Sequence, residues 1–217
     1  MSFAGFPVAA LDFYDDLEVD NTKSFWTAHK HIYEEAVRVP MLALTAELED
    51  EFGEAKVFRP YRDLRYSAQP GRDKSPYKDH QGAFVAAGPA VGWYVEIGSP
   101  GVRIGAGFYH PSSEQLAAIR AGIDDERRGT SLESMVAGIR RRRDWTVGGD
   151  QVRSAPRGWP ADHPRIELLR HRSLIVGRSY GFGERIQTRR LLTDVRRDWR
   201  TARPIVDWVL DAIEGVA

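Results

Sequence analysis

Residues 59–78 read RPYRDLRYSAQPGRDKSPYK, with Arg59, Arg62, Arg65, Arg72, Lys74 and Lys78 set against only Asp63 and Asp73. A guanidinium fork binds a phosphate or carboxylate through two parallel N–H···O bonds, so arginines at this spacing suit an oxyanion. Tyr61, Tyr66 and Tyr77 can add hydroxyl donors or ring faces. Asp63 and Asp73 would fix neighbouring cationic side chains. Pro60 and Pro70-Gly71 argue against a long regular helix here. Three functions follow. The leading one is a binding domain for a phosphorylated or other anionic small molecule, or for a nucleic-acid phosphate backbone. The second is an enzyme acting on a phosphate ester or related anion, in which Asp63 or Asp73 is the acid/base or a metal ligand and Lys74 stabilises developing charge. The third is an interaction or structural protein. In this last case the segment is an ion-pair network pinning a long loop against the acidic N-terminal helices.

Other chemistry-bearing patterns fall short. Gly177-Arg178-Ser179-Tyr180-Gly181 fits the nucleophile-elbow pattern, but that arrangement places its aspartate and histidine after the serine, and the last histidine is His171. His29 and His31 are two apart on a helical stretch and so point in different directions. His80, His110, His163 and His171 read as isolated, so no metal site is expected. Gly105-Ala106-Gly107 and Gly181-Phe182-Gly183 lack the third glycine of a dinucleotide fingerprint, and no Walker loop occurs, so no cofactor is expected. The run Arg140 to Arg143 ends a helix, where cations oppose the helix dipole.

The elements that must position the basic segment come from hydrophobic periodicity. Leu11, Tyr14 and Leu17 share a helical face. Asn21 or Thr22 caps a second helix carrying Phe25, Trp26, His29, Ile32 and Tyr33, and Pro40 opens a third that Gly53 stops. The period then drops to two. Val91, Trp93, Val95 and Ile97 alternate with Gly92, Tyr94 and Glu96; after Ser99-Pro100-Gly101, Val102, Ile104, Ala106 and Phe108 alternate with Arg103, Gly105, Gly107 and Tyr109. This is an antiparallel hairpin whose second face carries Tyr94, Glu96, Arg103 and Tyr109, with Gly105 and Gly107 leaving room for a shallow groove. The basic segment is expected to border that groove. Gln81 to Ala87 and Ser173 to Tyr180 read as further strands. Ser112 to Gln115 and Thr130 to Glu133 both fit the capping box. The C-terminal stretch reads as two helices broken near Pro204. Helices and strands do not alternate regularly, so the expectation is α+β: one domain spanning 1–217, an antiparallel sheet packed with N-terminal, middle and C-terminal helices.

Composition sets the outer bounds. The 217 residues, 42% hydrophobic, are enough for one sizeable core, and no apolar run approaches a membrane span. Cysteine is absent, which excludes disulfides, thiolate zinc sites and cysteine catalysis. Asp12 follows a start without basic residues, so no export signal is expected and a cytoplasmic location is the default. Residues 1–54 hold twelve Asp/Glu and three Lys/Arg, a net −9, and the remainder carries the balancing +9. Attraction between the two parts, or an acidic partner for the later one, would follow from that split.

Arg59, Arg62, Asp63, Arg65, Asp73, Lys74 and Tyr77 fall, in order, on Arg-x-x-Arg-Asp-x-Arg-Phe-x-x-x-(Asp/Asn)-Lys-x-x-Tyr. The chain resembles the uncharacterised family, mostly bacterial with a related region in longer fungal proteins, that carries this signature. Tyr66 stands in place of the Phe. Six residues rather than three separate it from Asp73, as though Pro70-Gly71-Arg72 were inserted. The resemblance extends through the 21–33 helix, Gly105 to Tyr109, Pro156-Arg157-Gly158 and Asp162-His163-Pro164. It implies one family-like domain and supplies no substrate. The expected ligand-binding set is therefore Arg59, Arg62, Asp63, Arg65, Asp73, Lys74 and Tyr77, with Arg103 and Tyr109 from the hairpin.

Overall fold

The computed structural model describes residues 2–62 and 75–216. The fold is α+β, with an antiparallel sheet of six strands in the order β1-β2-β3-β4-β6-β5. The strands are β1 (Ala55–Val57), β2 (His80–Gly88), β3 (Val91–Gly98), β4 (Gly101–Phe108), β5 (Trp145–Gly148) and β6 (Leu174–Gly181). Lys56 lies opposite Phe84 in the β1–β2 pair, and Val147 opposite Val176 in the β5–β6 pair. The helices are α1 (Val8–Val19), α2 (Lys23–Ile32), α3 (Val39–Ala46), α4 (Glu49–Phe52), α5 (Ser113–Asp124), α6 (Glu126–Arg140), α7 (Ile166–Leu169) and α8 (Arg190–Ile213). Among the described residues no helix is long and apolar enough to cross a membrane. The residues form two compact units. One comprises Met1–Val85, Tyr94–Arg103 and Tyr180–Arg196, the other Ala86–Trp93, Ile104–Ser179 and Arg197–Ala217.

In the first unit Thr22 caps α2, its hydroxyl accepting the Phe25 N–H at 3.2 Å. A π-helical stretch, Tyr33–Arg38, joins α2 to α3. Proline lacks an N–H and its ring crowds the carbonyl four residues back, so a widened turn just before Pro40 lets the chain pass without a break. Gly53, at φ +101°, then ends the helical region in a conformation that residues with a Cβ rarely adopt. Phe13, Trp26 and Tyr33 meet ring to ring at 4.9–5.9 Å, the offset and edge-on arrangement favoured by ring quadrupoles.

Glu47 closes this unit at its chain start. It accepts hydrogen bonds from both terminal nitrogens of Arg189 and from the Phe3 N–H. These bonds, led by the pair from Arg189, lower its carboxyl from 4.5 to about 2. A depressed carboxyl adds stability above its unfolded value and loses it as the pH falls toward the folded one. The melting-temperature gap between the wild type and Glu47→Gln should accordingly be full at pH 5 and close between pH 4.5 and 2. A gap that stays constant over that range would refute the assignment.

The second unit corrects two sequence expectations. Ser112 and Gln115 do form the expected capping box on α5. Thr130, expected to begin a helix, instead lies inside α6, which Asp125 caps by accepting the Arg128 N–H at 2.8 Å. Both segments satisfy a cap pattern, and the helix starts at the earlier one because Arg165 fills the junction. Its guanidinium donates to the carbonyls of Ile123 and Asp124 and to Glu126, satisfying the end of α5 while the next helix begins. The expected break at Pro204 does not occur either, since α8 runs through it. An internal proline costs about 3 kcal/mol. Leu191, Leu192, Val195, Trp199, Ile205, Val206 and Val209 are all buried along that helix, and each such side chain contributes about 1.5–3 kcal/mol. Burial wins.

Candidate functional site

The basic segment is closed by a short antiparallel bridge between Tyr61 and Tyr77. Arg62 N–H donates to the Pro76 carbonyl at 2.9 Å, and Lys78 N–H to the Pro60 carbonyl at 2.7 Å. The side chain of Asn21 then acts as one more strand. Its amide NH₂ donates to the Tyr77 carbonyl and its oxygen accepts the Tyr77 N–H, both at 3.1 Å. The Tyr77 ring, only 5% exposed, stacks on Trp26 at 4.2 Å between centroids and 7° between planes. Gln81 secures the other side by accepting the Tyr33 hydroxyl and donating to the Phe58 carbonyl at 2.8 Å. These ties leave the entrance and exit of the segment fixed in register.

A chain of polar groups starts from that closure. Arg62 Nε donates to the Tyr77 carbonyl at 3.0 Å, and its Nη2 lies 3.4 Å from Asp79 Oδ2. The other Asp79 oxygen, Oδ1, is 2.7 Å from His80 Nδ1. Burial opposes the Asp79 charge, but the hydrogen bond from His80 and the charges of His80 and Arg62 hold its carboxyl below the ordinary value. His80 Nε2 faces Glu96 Oε2 at 3.7 Å, too far for a hydrogen bond. Glu96, all but buried, accepts the Tyr94 hydroxyl at 2.6 Å and the Nε–H of Arg103. Gly82 makes this possible: a Cβ there would lie 2.4 Å from the Tyr94 hydroxyl oxygen. The bond from Glu96 raises the Arg103 guanidinium above its ordinary value.

Beside this chain, the Lys78 ammonium lies 5.2 Å from the centre of the Phe58 ring, and that of Lys56 lies 6.0 Å from it. Burial, and after it the charge of Arg62, pushes the Lys78 ammonium below the ordinary lysine value. Among the described residues Lys78 has no carboxylate partner.

Of the expected site residues, Arg62, Tyr77 and Arg103 thus belong to one connected neighbourhood. Arg59 is exposed and forms no ion pair among the described residues. Asp63, Arg65, Asp73 and Lys74 lie outside the described residues. Tyr109 belongs to the second unit, where its N–H donates to the Ala90 carbonyl at 2.8 Å. His80 is not isolated as its sequence context suggests. Strand alternation held the signal, since His80, Gly82, Tyr94 and Glu96 all occupy one face once β2 and β3 are paired. Among the described residues no group of three His, Asp or Glu side chains is placed to hold a metal ion.

No curated protein and no solved structure matches the chain. The model of the family described as conserved hypothetical protein DUF2461 matches residues 9–208, nearly the whole length, and the chain belongs to that family.

Proposed function

We propose that the protein binds an anionic ligand, a phosphorylated small molecule or a phosphate backbone, at the cationic closure of the 59–78 segment. The supporting observation is Lys78. It is partly withdrawn from water, crowded by Arg62, and has no counter-ion among the described residues, so an entering anion would relieve a field that those residues leave uncompensated. Arg62 and Arg103 each spend one edge of the guanidinium on a carboxylate. Phe58, with the Lys78 and Lys56 ammonium groups 5.2 and 6.0 Å from its ring centre, would add an aromatic ring beside those cations for a ligand with a base or other flat group. Tyr77 serves as scaffold in this reading, because its ring is packed against Trp26.

Isothermal titration with inorganic phosphate, pyrophosphate, adenosine nucleotides and a short single-stranded oligonucleotide tests the proposal. Affinity should weaken as salt rises. Lys78→Gln should weaken it about tenfold or more, the loss of one charge-assisted hydrogen bond. Equal binding by the wild type and Lys78→Gln would refute the role of this site.

A further inference from the structure

His80 has a geometry that anion binding does not require. Its Nδ1 is held by Asp79 at 2.7 Å, and Asp79 is itself held by Arg62 at 3.4 Å. In the neutral ring the Nδ1–H donated to the carboxylate fixes the tautomer, so Nε2 carries the lone pair. That nitrogen makes no hydrogen bond among the described residues. The ring is one-third exposed, and Glu96 stands 3.7 Å from Nε2, anchored by Tyr94 and Arg103. A carboxylate that fixes an imidazole from behind while the front nitrogen stays open is the arrangement of a proton-transferring histidine. A second carboxylate, Glu96 at 3.7 Å from Nε2, would stabilise the imidazolium through its charge once that forms. Among the described residues the charged and titratable groups around His80 are therefore Asp79 beside it in the chain and Glu96 from β3, with Arg62 behind Asp79 and Tyr94 and Arg103 behind Glu96.

We propose that His80 is the general base and general acid of a hydrolysis of phosphate esters at this site, with Asp79 as its positioning residue. The inference rests on the anion-binding reading for its substrate. His80 Nε2 takes a proton from water as the water oxygen bonds to phosphorus. The bond from phosphorus to the ester oxygen breaks, and its electron pair leaves on that oxygen. The imidazolium returns the proton there, giving the free alcohol and a phosphate that carries the water oxygen. Lys78 stands two residues before His80, just ahead of β2. It and the exposed edge of Arg103 are the cations available to the charged phosphate oxygens.

The test measures two quantities on the full chain: binding of inorganic phosphate, and turnover of p-nitrophenyl phosphate and bis(p-nitrophenyl) phosphate from pH 5 to 9. Turnover of at least one ester is expected. His80→Asn should lower kcat by about 10²–10⁴-fold with KM within about threefold, the split produced by a group acting only in the transition state. Asp79→Asn should lower kcat and displace the histidine limb of the pH profile, which a purely structural role would leave in place. Imidazole added to His80→Ala should restore part of the lost rate. Should His80→Asn and His80→Ala fail to fold, the displaced limb in Asp79→Asn decides, and an unmoved limb overturns the proposal. Phosphate binding without turnover of either ester overturns this inference and leaves the binding site standing. Absence of phosphate binding overturns both. Unchanged turnover in a folded His80→Asn removes His80 from the reaction.

Discussion

Trp26→Ala is expected to lower the stability of the protein by about 3–5 kcal/mol, the range for removing a large buried aromatic side chain. Trp26 is 4% exposed and meets Phe13, Tyr33, Tyr61 and Tyr77, so its removal opens a cavity in the aromatic cluster that backs the basic segment. One opposing effect is present. The indole N–H is buried without a hydrogen-bond acceptor among the described residues, and deleting it relieves the cost of that desolvation, about 1 kcal/mol or somewhat more. The cavity outweighs the relief, which places the expected loss toward the lower end of the range. Trp26→Phe separates the two effects. A phenyl ring keeps most of the stacking on Tyr77 and removes the orphaned donor, so it should cost about 1 kcal/mol or less. Urea unfolding of the three proteins measures this directly. The same titrations carried out on the folded variants should show weaker anion binding for Trp26→Ala than for Trp26→Phe, because the Tyr61–Tyr77 bridge loses its backing. Equal stability of Trp26→Ala and Trp26→Phe would contradict the packing argument.

How far the sequence foretold these features depended on whether the deciding interaction was local. Thr22 and Ser112 read correctly as caps because a side chain three residues from its partner is all that the interaction needs. The β3–β4 hairpin and its buried face were legible from period-two alternation. Pro204 misled because the local penalty is visible in the sequence, whereas the compensating burial comes from elements far away in the chain. Thr130 misled for a related reason: Arg165, thirty-five residues further on, decides where α6 begins. The candidate site shows the same division. Arg62 and Arg103 stood out by residue type. His80 did not, because its partners reach it across strands: Glu96 is sixteen residues away, and only strand pairing brings the two together. Asn21 reads as a helix cap, yet its side chain grips Tyr77, fifty-six residues later. Nothing within the α2 pattern distinguishes those two uses.

Gly107 and Gly138 give the largest contrast for the smallest change, and Gly107→Ala is expected to be the more damaging substitution by several kcal/mol. By sequence, Gly107 reads as a place where the sheet face lacks bulk and a groove can form. In the structure it sits at φ +141°, and a Cβ there would fall 2.0 Å from the Leu174 carbonyl oxygen. That contact is with backbone of the β6 strand, so no rotamer can relieve it. A strained φ alone costs about 1–3 kcal/mol. Relieving the clash adds the separation of β4 from β6, where backbone hydrogen bonds would be left unmade at about 1–3 kcal/mol for each buried group. The glycine is present for close approach of two strands before it is present for any groove. Gly138 is the opposite case. It lies within α6, and a Cβ there meets nothing within 4 Å. Alanine loses less conformational freedom than glycine on entering a helix, so Gly138→Ala should stabilise the protein by about 0.5–1 kcal/mol. Thermal melts of the two variants should therefore move in opposite directions. If Gly107→Ala melts within a degree or two of the wild type, β4 and β6 are less closely apposed than the Leu174 carbonyl implies. The shallow groove would then be the better account of that glycine.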